Sequence, residues 1–310
     1  MLEEIESMDE TLLPARPIPK PPSFRESASV KSRLKAIQKY ISSLEYNYTG
    51  VDYFSKKKVS MRRINITCKE IIREALPIKC VEGMFLGAHL TNGMMDIDRV
   101  PLRFKSRCGD NVYYHVVLAV HSGESWGALG LSRKSTLMYK GLRFNTLSDL
   151  LLEFKTCYEE CGHAVVKMCV GQCLPHGGSM QTPILWRALQ FYTKHDWNEL
   201  SGMINTYWTK IHAVGDYYAR KGQLPPWFKA TFALTTGDND AEPDDETSKD
   251  NPNENSNGND EQVGEVKEEK VSTEKDGDED GTESKESNEN CADEVHSSNN
   301  IAAESDTDKQ

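Results

Sequence analysis

No stretch of the chain reaches the roughly 18 consecutive apolar residues that a membrane-spanning helix needs, so no such span is expected. The opening residues, MLEEIESMDE, are acidic and contain no apolar segment, which predicts no secretory signal. The eight cysteines are therefore expected to be reduced thiols, as in a cytosolic chain. The sequons at Asn47-Tyr48-Thr49 and Asn65-Ile66-Thr67 are expected to stay unmodified, since modification needs a secretory route. Nucleic-acid signatures are missing too. There is no zinc-finger, RNP or helix-turn-helix pattern, and the basic residues are not interleaved with aromatics as a stacking platform requires. Metal spacing is also lacking. Cys157, Cys161, His163, Cys169, Cys173 and His176 crowd together but match no common zinc knuckle, so the four cysteines read as core or surface thiols, with no metal and no cofactor expected.

Aromatic residues are absent from Thr236 to Gln310, where runs such as DEDGTESKESNENCADE take over. That segment holds 26 Asp and Glu against 6 Lys and Arg, a net of −20, so residues 1–235 carry +9 of the chain's overall −11. A segment this polar cannot bury enough apolar surface to offset the entropy of ordering, and it reads as a disordered acidic tail, 236–310. Its charge is opposite to that of the preceding region, so it reads either as a weak internal competitor for an acidic partner or as a segment that only keeps the chain soluble. Residues 1–24 include the Pro-rich LPARPIPKPPSF and read as disordered and extended. What remains, 25–235, is long enough for one folded domain with a real core.

Within that domain, Val30, Leu34, Ile37, Ile41 and Leu44 recur at four- and three-residue steps, the stripe of an amphipathic helix. TCKEIIREAL predicts a second helix capped by Thr67 and ended by Pro77. A third begins near Cys80 and stops around Thr91–Gly93. The period then changes. RVPLRFKSR, NVYYHVVLAVHS and SWGALGLSR are β-branched or aromatic runs separated by CGDN and SGES, the pattern of strands joined by hairpins. TLSDLLLEFKTCYEECG predicts a helix with Thr146 as cap, HAVVKMCVG a strand, and PILWRALQFYTKH and WNELSGMINTYWTKIHAVGDYYARKG two more helices. Helices, a strand meander, then helices favours α+β with an antiparallel sheet over a doubly wound fold.

Cys80 stands where the third helix begins. A cysteine there is either core filling or a nucleophile whose thiolate the helix N-terminus stabilises. His115 lies mid-strand in VYYHVVLAV, on one face with Tyr113, Val117 and Ala119. It is either a satisfied core imidazole or a catalytic base. A helix-start cysteine followed by a histidine on the next sheet is the order of papain-like and transglutaminase-like enzymes. Ser132, at the end of GALGLSRK, is a candidate to orient the imidazole through its hydroxyl.

LEYNYTG, EALPIKC, YYHVVLAV, GALGLSRKSTLMYK and FNTLSDLLLEF together resemble the vasohibin family, between about Pro19 and Gly171. The resemblance implies a transglutaminase-like cysteine-protease fold and removal of the C-terminal tyrosine of α-tubulin, the detyrosination of microtubules. It places the catalytic set at Cys80, His115 and Ser132. It implies that Lys58, Lys79 and Arg133 bind the terminal carboxylate and neighbouring acidic side chains, as the bidentate chemistry of arginine favours, and that Tyr46 lies near the site. A solvated basic loop at Lys58 and simple packing at Tyr46 are the plainer readings. Expected partners are the α-tubulin tail in microtubules and a small vasohibin-binding protein on the N-terminal helices, with no nucleic acid and no membrane. Expected localisation is cytoplasmic and cytoskeleton-associated, with secretion as the alternative despite the lack of a signal peptide pattern. The alternative is a non-catalytic microtubule-binding or scaffold protein that keeps the fold. The acidic tail departs from the family, whose tails are basic.

Overall fold

The computed structural model describes residues 18–25, 27–56, 60–177 and 183–232. The acidic tail, most of the Pro-rich N-terminus and Lys58 lie outside the described residues.

Among the described residues three helices come first: α1 (Val30–Ser43), α2 (Met61–Glu74) and α3 (Cys80–Leu90). The Ser29 hydroxyl caps α1 by accepting from the Ser32 amide. Leu34, Ile37, Ile41 and Leu44 are all buried, so the predicted stripe is spent on the chain's own core. Helix α2 corrects the expected boundary. Its cap is Ser60, which accepts from the Arg63 amide, and Thr67 is a buried residue inside the helix. The Thr-x-x-Glu spacing at Thr67 imitated a capping box but had buried helix on both sides. The helix ends at Ala75 in the left-handed region (φ 50°), a conformation that costs an L-residue about 1–2 kcal/mol and that precedes the break at Pro77.

Six strands follow: β1 (Asp98–Cys108), β2 (Asn111–Ser122), β3 (Ser125–Leu129), β4 (Lys140–Phe144), β5 (Ala164–Val170) and β6 (Leu189–Tyr192). They form one antiparallel sheet in the order β4-β3-β2-β1-β5-β6. The expected α+β architecture is therefore present. Strand β4 was not anticipated, and β6 replaces an expected helix. PILWRALQFY is a short apolar run whose period alone does not separate helix from strand. Its register against β5 decides the matter: Phe191 pairs with Met168 and Leu189 with Val170, and both Leu189 and Phe191 are fully buried.

Helix α4 (Leu147–Glu160) lies between β4 and β5, with a capping box between Thr146 and Asp149. Helix α5 (Trp197–Lys221) and the short α6 (Phe228–Thr231) close the described chain. Helices therefore cover both faces of the sheet. Residues of α4, α5 and α6 pack with Val100, Leu102, Phe104, Val117 and Met168. Residues of α1, α2 and α3 pack with Leu118, Val120 and Leu129 on the other side. No helix is long and apolar enough to cross a membrane among the described residues.

Candidate active site

Cys80 is the first residue of α3, and Lys79, its N-cap, supplies no side-chain cap. Amides of the first helical turn lack intrahelical acceptors, and the helix dipole favours negative charge at this end. The side chain is half-buried against the α1–α3 core. Two contacts bring α3 close to the sheet. A Cβ on Gly83 would meet Leu131 Cβ at 3.0 Å, and one on Gly87 would meet Leu118 Cδ2 at 3.2 Å. Absent side chains one turn apart thus let the start of α3 lie against the segment that carries Ser132.

The loop before the helix is fixed from the other side. Tyr46 forms a parallel bridge with Ile78. The Asn47 amide donates to Ile78 O (2.8 Å) and the Ile78 amide to Glu45 O (3.2 Å). These bonds hold Tyr46 beside the helix start. Burial raises the pKa of the Tyr46 phenol and the Cys80 sulfur adds to that rise, while Arg133 opposes both through its charge and a hydrogen bond to the phenol. The Arg133 guanidinium lies 5.4 Å from the Tyr46 ring centroid and 5.8 Å from that of Tyr48. Tyr46, Cys80 and Arg133 are thus brought together, with Tyr48 as an unanticipated member.

Lys79 is also at the site, but it is paired. Its Nζ donates to Asp52 Oδ1 at 2.7 Å, and Lys56 reaches the same oxygen at 2.8 Å. Glu82, two residues after Cys80, is buried with Oε2 lacking a partner among the described residues. Burial raises its pKa above the usual carboxylate range, against bonds from the Glu82 and Lys79 amides.

His115 occupies β2 three residues beyond the last β2–β3 pair, Leu118 with Leu129. The sheet therefore leaves this edge of β2 open. Across the ladder His115 pairs with Phe104, whose ring stacks on the imidazole at 6.4 Å and 24°. Phe104 in turn packs on Tyr158 (5.6 Å), whose pKa is raised by burial, with smaller contributions from the Cys80 and Cys161 sulfurs. Tyr158 and His115 thus share Phe104 as a neighbour, and Tyr158 lies within electrostatic range of Cys80. His115 Nε2 lies 2.7 Å from Leu137 O. A carbonyl only accepts, so Nε2 carries the hydrogen and the neutral ring presents Nδ1 as an acceptor. Desolvation lowers the His115 pKa to about 4, against the Leu137 bond, so the ring is neutral near pH 7.

Ser132 is placed on the segment leaving β3. Its hydroxyl accepts from the Lys134 amide at 3.3 Å. The bond that orients the imidazole runs instead to a backbone carbonyl, delivered by the 3₁₀ turn Ser135–Leu137. Backbone groups leave no side-chain signal, so Leu137 was invisible in the sequence. Gln38 was visible in principle, as a polar residue within the apolar stripe of α1. It donates to Gly130 O (2.8 Å) and accepts from the Gly130 amide (3.1 Å), taking the place of a strand partner where β3 ends. It thereby fixes the exit of the segment that carries Ser132 and Arg133.

A family model described as Vasohibin matches residues 1–211. The chain belongs to the vasohibin family. The match extends past the motif-bearing stretch, through all six strands and into α5. "Tubulinyl-Tyr carboxypeptidase 1" of Mus musculus is similar, 42% identical over 178 residues that make up 57% of this chain and 48% of that protein. This vasohibin chain therefore spans about half the length of the curated relative it matches.

Proposed function

We propose that the protein is a cysteine carboxypeptidase that removes the C-terminal tyrosine of α-tubulin. The observation that carries the reading is a cysteine at a helix start beside Tyr46 and Arg133, with a neutral imidazole oriented on the sheet by Leu137 O, in a vasohibin-family chain. A helix-start thiol packed against a histidine-bearing antiparallel sheet also supports a transglutaminase-like arrangement.

In this mechanism His115 Nδ1 takes the Cys80 proton as sulfur attacks the carbonyl carbon of the penultimate residue. The resulting oxyanion lies near the start of α3 and the Tyr46 hydroxyl. Imidazolium then returns its proton to the leaving tyrosine nitrogen, and the C–N bond breaks. Water, deprotonated by the same imidazole, hydrolyses the thioester and regenerates the thiol. Leu137 O holds the ring and stabilises its charged form in passing. Ser132 contributes its hydroxyl from the adjoining segment. Arg133 and Lys79 receive the terminal carboxylate and the acidic side chains before it, which requires Lys79 to exchange Asp52 for substrate. Lys58, outside the described residues, is a further substrate contact in this reading.

The α-tubulin tail is thus the proposed partner, and the cytoplasm and its microtubules the proposed location. A small vasohibin-binding protein would meet the outer faces of α1 and α2, because the apolar stripe of α1 is already buried. The test is incubation of the full chain with tubulin and mass spectrometry of the α-tubulin terminus. Loss of one tyrosine with the wild type and none with Cys80→Ala is expected. Microtubule binding without any loss would overturn the enzyme reading in favour of a non-catalytic scaffold.

A further inference from the structure

Away from Cys80, the fold gathers another set of reactive side chains. Asp98 opens β1, Cys173 follows β5 and His212 lies on α5, and one ligand atom of each falls within 4.8 Å of the others. Asp98 Oδ1 is 3.7 Å from Cys173 Sγ and 3.8 Å from His212 Nε2. In a tetrahedral zinc site with ordinary bond lengths, such ligand atoms stand about 3.3–3.5 Å apart. The two Asp98 spacings are within a few tenths of an ångström of that, and Cys173 and His212 are at most 4.8 Å apart before any ion draws the ligands in.

Two features prepare the set. The second carboxylate oxygen, Asp98 Oδ2, is 3.3 Å from His121 Nδ1, its cross-strand partner on β2. That contact orients the carboxylate as outer-shell groups do in metal sites. Cys173 is held by its neighbours: the Leu174 amide donates to Arg99 O (2.7 Å), and the Arg99 guanidinium donates to Leu174 O (3.1 Å) and Pro175 O (2.7 Å). The same guanidinium also reaches Ala88 O (2.9 Å), so its donors are directed at carbonyls. His121 is six residues along β2 from His115, about 20 Å at the rise of a strand, so this is not the peptidase site.

We propose that Asp98, Cys173 and His212 form a site for a divalent transition metal of the zinc class, with His121 orienting Asp98. A soft thiolate, an imidazole and one carboxylate suit zinc over magnesium or calcium, which prefer all-oxygen shells. Binding converts the Cys173 thiol to a zinc thiolate and releases its proton to solvent. Carboxylate and thiolate together neutralise the ion. The His212 side chain is 66% exposed, which leaves the fourth position to water. The ion ties α5 to β1 and to the segment after β5.

The test uses the full chain carrying Cys80→Ala, so that the nucleophile cannot bind the probe, stripped with a chelator. Zinc is titrated against a chromophoric chelator and cobalt is followed by absorption. One tight equivalent of zinc is expected, with a thiolate-to-cobalt charge-transfer band and the intense visible bands of four-coordinate cobalt. His212→Ala, at an exposed helix position, should weaken that equivalent at least tenfold, and His121→Phe by about 10–100-fold. Cys173→Ser should abolish the charge-transfer band. Trp126 and Trp208, 4.7 and 4.8 Å from His121, should report cobalt as quenched fluorescence. Equal zinc binding by His212→Ala and its parent, or cobalt bound without a thiolate band, would overturn the proposal, and either result is independent of whether the chain cleaves tubulin.

Discussion

Lowering the pH from 7.5 to 5 should cost the protein stability through His115 in particular. In the folded state its pKa is about 4, against about 6.5 for an unhindered imidazole. The unfolded chain therefore takes up the proton first. The stabilising contribution is complete above about pH 6.5 and is lost as pH falls through about 4. The whole interval is worth about 3 kcal/mol at 1.36 kcal/mol per pKa unit, and about 2 kcal/mol is gone by pH 5. Urea unfolding of wild type and His115→Gln at pH 7.5, 6 and 5 isolates this term, since other groups titrate in both proteins. The glutamine amide retains a donor for Leu137 O. The wild-type advantage over the variant should shrink by about 2 kcal/mol across that range. A constant difference would show that the ring is not desolvated. A difference that grows as pH falls would show a raised folded pKa, hence a preformed thiolate–imidazolium pair, and would overturn the neutral-base mechanism.

Replacing Gln38 with Leu strands the Gly130 amide and carbonyl beneath α1, each costing about 1–3 kcal/mol. Urea midpoints should fall accordingly, and kcat should fall with them because the segment carrying Ser132 and Arg133 is released. Gly83→Ala forces a Cβ to within 3.0 Å of Leu131 Cβ, an overpacking cost of about 1–3 kcal/mol that displaces the start of α3. Its turnover should drop at least tenfold, whereas Gly50→Ala, with open space around it, should turn over like the wild type. Arg133→Glu places a carboxylate where the substrate's own carboxylate binds, so KM for a peptide ending in Glu-Tyr should rise at least tenfold with the urea midpoint unchanged. An amidated peptide should be a poor substrate for the wild type, and equal rates for the two peptides would remove Arg133 from carboxylate recognition.

Much of this protein was written locally in its sequence. The hairpin β1–β2 follows from alternating β-branched and aromatic residues around CGDN, and α4 from Thr146 with Asp149 at its start and a continuous apolar face. The placing of Cys80 at a helix start is equally local, because Pro77 ends one element and an apolar run begins the next. The order of Cys80 and His115 carries chemistry by itself, whereas Lys58 and Tyr46 stand out only through the resemblance to vasohibins. What the chain could not disclose were relations between distant segments. β6 is a strand because β5 offers a free edge, and the true cap of α2 is Ser60 because the core buries Thr67. The imidazole is oriented by a carbonyl 22 residues away, which has no residue type to betray it. Cys173 keeps company with Asp98 and His212 rather than with its sequence neighbours, since only the pairing of β5 with β1 and the packing of α5 bring those atoms within 4.8 Å of one another. Local propensity is set by neighbours along the chain, whereas burial and coordination depend on which segments meet, and that is decided by the collapsed core.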